Sequence, residues 1–182
     1  MTTIDLLGIV LVALLVGVIA FRIIPAISTY FLYRGKRIVT CTETFRREAV
    51  DVAARKAAVW SLIGDPKLHL DRCSRWPERH DCGQECLKMV EPDPENCLVW
   101  KIVSSWYQGQ SCVYCHKRFA VLSRLDHAPA LLRDDHTTIE WNQISPEQLP
   151  EIFSTSEPVC WNRHITETFR REHPELVVER NR

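Results

Sequence analysis

The chain has 182 residues, with 23 Lys plus Arg against 23 Asp plus Glu, so it carries neither a global basic field for nucleic acid nor a global acidic one. Eight cysteines and six tryptophans are the unusual numbers, the thiols being well above average yet too sparse for a small scaffold held by disulfides alone. Without the apolar N-terminal segment, about 145 residues remain, which suits one compact domain of ordinary size.

Residues 4–33 read IDLLGIVLVALLVGVIAFRIIPAISTYFLY. No charge falls between Leu6 and Phe21, and the apolar stretch runs on to Ile24 with only Arg22 inside it. Roughly 20 apolar residues cross the hydrocarbon core as a helix, so residues 4–24 predict a single transmembrane anchor. Arg22 can snorkel near one end, Pro25 is expected to end or kink the helix, and Tyr30, Phe31 and Tyr33 suit an interfacial belt. A secretory signal would carry positive charge before the run and a small-residue cleavage site after it, whereas Asp5 precedes this run and bulky residues follow. A core helix would show a polar face, and this run has none. Arg34, Lys36 and Arg37 follow at once while no Lys or Arg precedes, which predicts an external N-terminus and a cytoplasmic soluble domain.

Beyond the anchor, Ala49, Val52, Ala53, Ala57, Trp60 and Ile63 follow helical spacing, closed by Gly64-Asp65-Pro66. KLHLDR, residues 67–72, alternates as a short strand does. Residues 73–109 read as two helical pieces split by EPDPEN. Asp93 as N-cap and Pro94 at the first position open a helix to about Gln108, stopped by Gly109, with Leu98, Ile102 and Trp106 as its core-facing stripe. RDDHTTIEWNQI reads as a turn and a strand with Ile139 and Trp141 on one side, and SPEQLPEIF as a short helix capped by Ser145. A last helix spans about 160–173, ended by Pro174. The heptapeptide TETFRRE occurs at 42–48 and again at 166–172, either by coincidence or as the trace of a duplicated knuckle and helix. The arginines in both copies read as a solvated face.

Two groups of metal-ligand residues stand out. Cys112 and Cys115 form a Cys-x-x-Cys pair on one tight turn; Cys160 and His164, at i and i+4, share one helical face. Together they make a Cys3His set of the kind that holds structural zinc. Cys73, Cys82, Cys86 and Cys97 form a second cluster, either a metal site or disulfides, with Cys41 left over to serve either group. Ordinary buried thiols are the plain alternative for several of these, Cys97 especially.

Cys112, Cys115 and His116 also spell Cys-x-x-Cys-His, the attachment signature of c-type haem, with His116 as proximal ligand. Three features favour zinc over haem c. The flanking charges put the domain in the cytoplasm, Met1 and Met89 are the only methionines for a sixth ligand, and six further cysteines have no part in a mono-haem fold. PVCWNRH, residues 158–164, is one substitution, at Arg163, from a second such motif. A thiol–disulfide couple would need a strand before the pair and a helix after it, and no triad, phosphate loop or acid pair occurs, so no enzyme activity is expected.

CSRWPERHDCGQEC, SCVYC and PVCWNRH with ETFRREHPELVV resemble an uncharacterised group of bacterial membrane-anchored, cysteine-rich proteins. The resemblance implies a bacterial source, hence the inner membrane, and a metal-binding or redox-associated role. The expectation is therefore an α+β chain in three parts. Residues 1–37 are anchor and basic flank, 38–109 a helical Cys-containing region, and 110–182 a zinc-ribbon-like region with a C-terminal helix, the whole soluble part being mostly helical. Its expected role is a zinc-binding interaction or scaffold protein at the membrane with an unknown protein partner. The alternatives are a membrane-anchored c-type cytochrome and a periplasmic domain held by disulfides.

Overall fold

A computed structural model describes residues 3–76, 78–79 and 82–176 and divides the chain into two units, Met1–Glu95 and Asn96–Arg182. Pro77, His80, Asp81 and the end of the HPELVV run lie outside the described residues.

The first unit begins with helix α1, Thr3–Tyr33, which continues through Pro25 instead of ending there. Gly8–Tyr33 is long and apolar enough, by length and composition, to cross a membrane.

Gly35, at φ 103°, turns the chain sharply into a three-stranded antiparallel sheet of order β1 (Lys36–Thr40), β2 (Arg47–Val52), β3 (Leu70–Cys73). Alternation along the strands buries Val39, Val50 and Val52. Helix α2, Ala54–Ser61, packs on α1, and Arg22 Nη1 donates to the Leu62 carbonyl at 3.0 Å. Helix α3, Leu87–Val90, adds two buried side chains. The helical spacing that starts at Ala49 is thus realised only from Ala54. Val50 has strand partners on both sides, Arg37 and Cys73, and Val52 pairs with Leu70 in β3, so pairing wins over helix there.

Arg37 is completely buried beneath this turn. Its Nη1 donates to Tyr33 O at 2.6 Å and Gly35 O at 2.8 Å, its Nη2 to Leu32 O, and its Nε to Pro94 O at 3.1 Å. One guanidinium so satisfies the orphan carbonyls at the end of α1 and holds the segment that closes the unit.

In the second unit, α4 (Val99–Tyr107), β4 (Ala130–Leu132), β5 (Thr138–Glu140), α5 (Leu149–Thr155), β6 (Glu157–Val159) and α6 (Trp161–Glu172) surround an antiparallel sheet of order β5-β4-β6. α4 starts at Val99, not at Asp93, and Cys97 sits in the turn before it. Its buried face is Val99, Val103 and Tyr107, one residue round from the expected stripe. Trp106 flanks that face, stacked on Phe153 with ring centroids 4.5 Å apart, while the Tyr107 hydroxyl goes deeper and donates to Ala130 O at 2.8 Å. Burial pushes the Tyr107 phenol well above its ordinary range. β5 stops at Glu140, so Trp141 opens a 3-10 turn instead of sharing a strand face with Ile139. A second 3-10 turn, Pro146–Gln148, leads into α5, and Ser145 makes no capping bond with its side chain. α6 spans nearly the expected residues.

Beyond α1 the chain is therefore mixed α+β, built on two small sheets. The repeated heptapeptide does not mark repeated structure: residues 42–48 form the turn after β1 and the start of β2, whereas 166–172 lie in α6.

Arg37→Ala leaves buried helix-end carbonyls without donors and is expected to lower stability by about 3 kcal/mol. Arg37→Lys, with one nitrogen in place of the fork, should recover only part of that loss. Arg34→Ala, at an exposed position, should stay within about 0.5 kcal/mol of the parent. Denaturant unfolding of the three variants in detergent checks this, and equal midpoints would refute the capping role.

Candidate metal centre

The Cys-x-x-Cys pair occupies the tip of a hairpin closed by the Ser111–Arg118 bridge and by Phe119 N–H to Gln110 O at 3.0 Å. Inside it, Cys112 N–H donates to Lys117 O at 3.0 Å and His116 N–H to Cys112 O at 2.8 Å. His116 has φ 56°, the left-handed conformation that lets the turn close tightly, and its side chain is exposed. Its place in the motif is a backbone one.

β6 runs beside this hairpin. Val113 N–H donates to Pro158 O at 3.0 Å, and the strand delivers Cys160 to the N-cap of α6. There Cys160 N–H points at Cys112 Sγ, 3.4 Å away, and Cys115 Sγ lies 3.7 Å from Cys160 Sγ. The three sulfurs fall within 4.8 Å of one another, forming a group that could hold a metal ion. Cys112 is buried in a core cluster with Ala130 and Val159. All eight cysteines are thiols, and 3.7 Å is well beyond a bonded sulfur pair.

The environments of the thiols differ. The Lys117 amide holds the Cys115 thiol below its ordinary value, against burial, with help from Cys112, Cys160 and the Arg163 side chain. Burial pushes the Cys160 thiol up to about 11.

His164, expected as the fourth ligand, lies outside the three-sulfur group. It is buried, with Nδ1 2.8 Å from Thr138 Oγ1 and Nε2 3.9 Å from Glu140 Oε1, so both ring nitrogens face β5. Nothing in the sequence spacing announces Thr138 or Glu140 as its neighbours, because strand pairing brings them there. Arg163 stands where a second Cys-x-x-Cys would have its last cysteine, and its side chain reaches Cys115 instead.

In the first unit, Cys73, Cys82 and Cys86 line one small cavity, and Cys41 lines it with them. Burial raises the Cys86 thiol to about 11, with the Cys73, Cys82 and Cys41 thiols acting the same way. Cys97, grouped with the first three by sequence proximity, belongs to the second unit.

In reduced, metal-free protein at about pH 8, Cys115 should alkylate roughly ten times faster than Cys160, because its thiolate is better populated. Timed iodoacetamide labelling read by peptide mass spectrometry measures this. Equal rates would show that the Lys117 amide does not control Cys115.

No protein-family model matches the chain, and no curated protein and no solved structure matches it either. The resemblance to a bacterial cysteine-rich group thus rests on the quoted motifs alone.

Proposed function

We propose that the chain is a single-pass membrane protein with its soluble part on the cytoplasmic side, where it serves as an interaction or scaffold module organised by zinc. The observation that carries this reading is the convergence of Cys112, Cys115 and Cys160 from two separate segments, with their sulfurs within 4.8 Å of one another. Three thiolates suit a soft or borderline ion that prefers tetrahedral coordination, and zinc is the one available without redox chemistry. The hairpin and the β6–α6 junction would be the two jaws of a zinc-ribbon-like element.

His164 is engaged with Thr138 and Glu140, so the fourth position falls to an exogenous ligand, such as water or a side chain of the partner. A fourth donor brought by the partner would make zinc a direct part of the interface. The haem reading has less support, because the two thiols face Cys160 and Cys112 is buried against Ala130 and Val159. α1 supports the anchor by its length and composition.

Cys112→Ser, Cys115→Ser and Cys160→Ser should each lose about one zinc per chain, whereas His164→Ala should keep it while losing about 2 kcal/mol of stability. Elemental analysis of full-length protein in detergent checks both, and zinc loss in His164→Ala would restore the Cys3His set. A Soret band resistant to acidic acetone would overturn the zinc reading.

Zinc affinity should also fall with pH. The free Cys160 thiol, near 11, is protonated at neutral pH, so binding must release its proton and acid favours the metal-free form. Competition with a chelator should show log affinity dropping by about two to three per pH unit below about pH 8. A flat profile would exclude thiolate ligation.

A further inference from the structure

The turn after β1 repeats the architecture of the Cys112 hairpin. In the latter, Cys112 O accepts from the residue four positions on, Cys112 N–H donates to the carbonyl five positions on, and His116 has φ 56°. In the former, Cys41 O accepts from Phe45 N–H at 2.8 Å, Cys41 N–H donates to Arg46 O at 2.8 Å, and Phe45 has φ 55°. The amides of Glu43 and Thr44 and the Thr44 side chain face the Cys41 sulfur. This is a metal knuckle in backbone form, with Thr44 where the second cysteine would stand.

The missing thiols come from elsewhere in the first unit. Pairing of Val39 with Glu48 and of Val50 with Cys73 puts Val39, Cys41, Val50 and Cys73 on one face of the sheet. The loop that leads into α3 lays Cys82 and Cys86 over that face. The four thiols line a single cavity of about 20 Å³, room for about one atom-sized guest, against apolar walls that include Val39 and Val50.

Two further groups suit a bound ion and its charge. The Arg75 guanidinium lies 3.3 Å from Cys41 Sγ and is oriented by Glu43 at 2.7 Å. The indole Nε1 of Trp76, in the wall of the same cavity, is buried with no hydrogen-bond partner among the described residues. Four thiolates around a divalent ion leave an excess of negative charge, which a guanidinium and an indole N–H would stabilise by donating toward the sulfurs.

We infer that Cys41, Cys73, Cys82 and Cys86 form a second, closed metal site that takes one tetrahedral thiolate-bound divalent ion, separate from the Cys112–Cys115–Cys160 group. Binding is ligand exchange without redox change: each coordinating thiol gives its proton to solvent as its sulfur–metal bond forms, and the ion sheds water. Cys97 has no part in it.

The test is metal stoichiometry of the full chain in detergent, reconstituted with zinc under reductant and freed of excess. Wild type should hold about two zinc, Cys41→Ser and Cys82→Ser about one each, and Cys97→Ser about two. Cys115→Ser removes the other ion, so its loss or retention reports on the proposed function independently. One zinc in wild type that survives Cys115→Ser and vanishes in Cys41→Ser would still support this site. Full zinc in Cys41→Ser, or zinc lost only in Cys97→Ser, would overturn it, as would protein lighter by the hydrogens of disulfides before reduction.

Cys41→His covers the case where the serine variants fail to fold. It should retain both ions, and its cobalt-substituted absorption should lose thiolate charge-transfer intensity relative to wild type. An unchanged cobalt spectrum would place Cys41 outside the site.

Discussion

The Cys160 N–H held against the buried Cys112 sulfur is the contact on which the second unit's site depends. It forms only because β6 is aligned beside the hairpin by the bond from Val113 N–H to Pro158 O, and β6 is itself fixed by its ladder to β4. Two thiols on a tight turn are a local property, but the third arrives by sheet register. A slip of one residue in β6 would turn Cys160 away from the hairpin. His164, one helical turn further along α6, then falls beside Thr138 and Glu140 on β5. The same register that completes the thiol group thus separates the histidine from it.

Both units are short of apolar core for their length. The deepest side chains of the second are Val103, Tyr107, Cys112, Leu131, Leu149 and Val159, and the strands that carry Leu131 and Val159 are three residues each. A core this small supplies little stability, and a zinc ion bound at the three thiols, as proposed, would add to it, since structural zinc contributes about 10 kcal/mol or more of apparent folding free energy. Thiols at the edge of the sheet are where such a contribution acts most directly, because they join segments that pairing alone holds weakly. In the first unit Arg37 joins segments with hydrogen bonds instead, tying the end of α1 to Pro94.

What the sequence revealed follows the range of the forces involved. The apolar helix, the Cys-x-x-Cys turn and α6 are local patterns, and all could be read directly. The start of α4 could not. Asp93-Pro94 carries a good helix-opening signal, yet the Pro94 carbonyl is taken by Arg37 Nε, a partner 57 residues away. Residues 49–52 satisfy both the helical and the strand period, and only the neighbours β1 and β3 decide between them. TETFRRE makes the point most directly, since the same seven residues enter a hairpin at 42–48 and a helix at 166–172. Cys41 was readable as a candidate ligand but not its neighbours, because sheet face, not sequence distance, sets its company.

The fold also revises the charge argument for orientation. Arg37 counted among the basic residues flanking the anchor, but its guanidinium is spent on the carbonyls of Leu32, Tyr33, Gly35 and Pro94 and offers nothing to headgroups. Arg34 and Lys36 remain exposed. Arg55, Lys56 and Lys67 are exposed on or just beyond α2, which packs along α1 and whose C-terminal carbonyl at Leu62 reaches Arg22. The positive-inside bias weighs charges close to the membrane end of a helix, and tertiary structure can supply them as well as the next few residues of chain. The proposed cytoplasmic side of the chain beyond α1 therefore rests on Arg34 and Lys36, the exposed members of the basic flank that first suggested it.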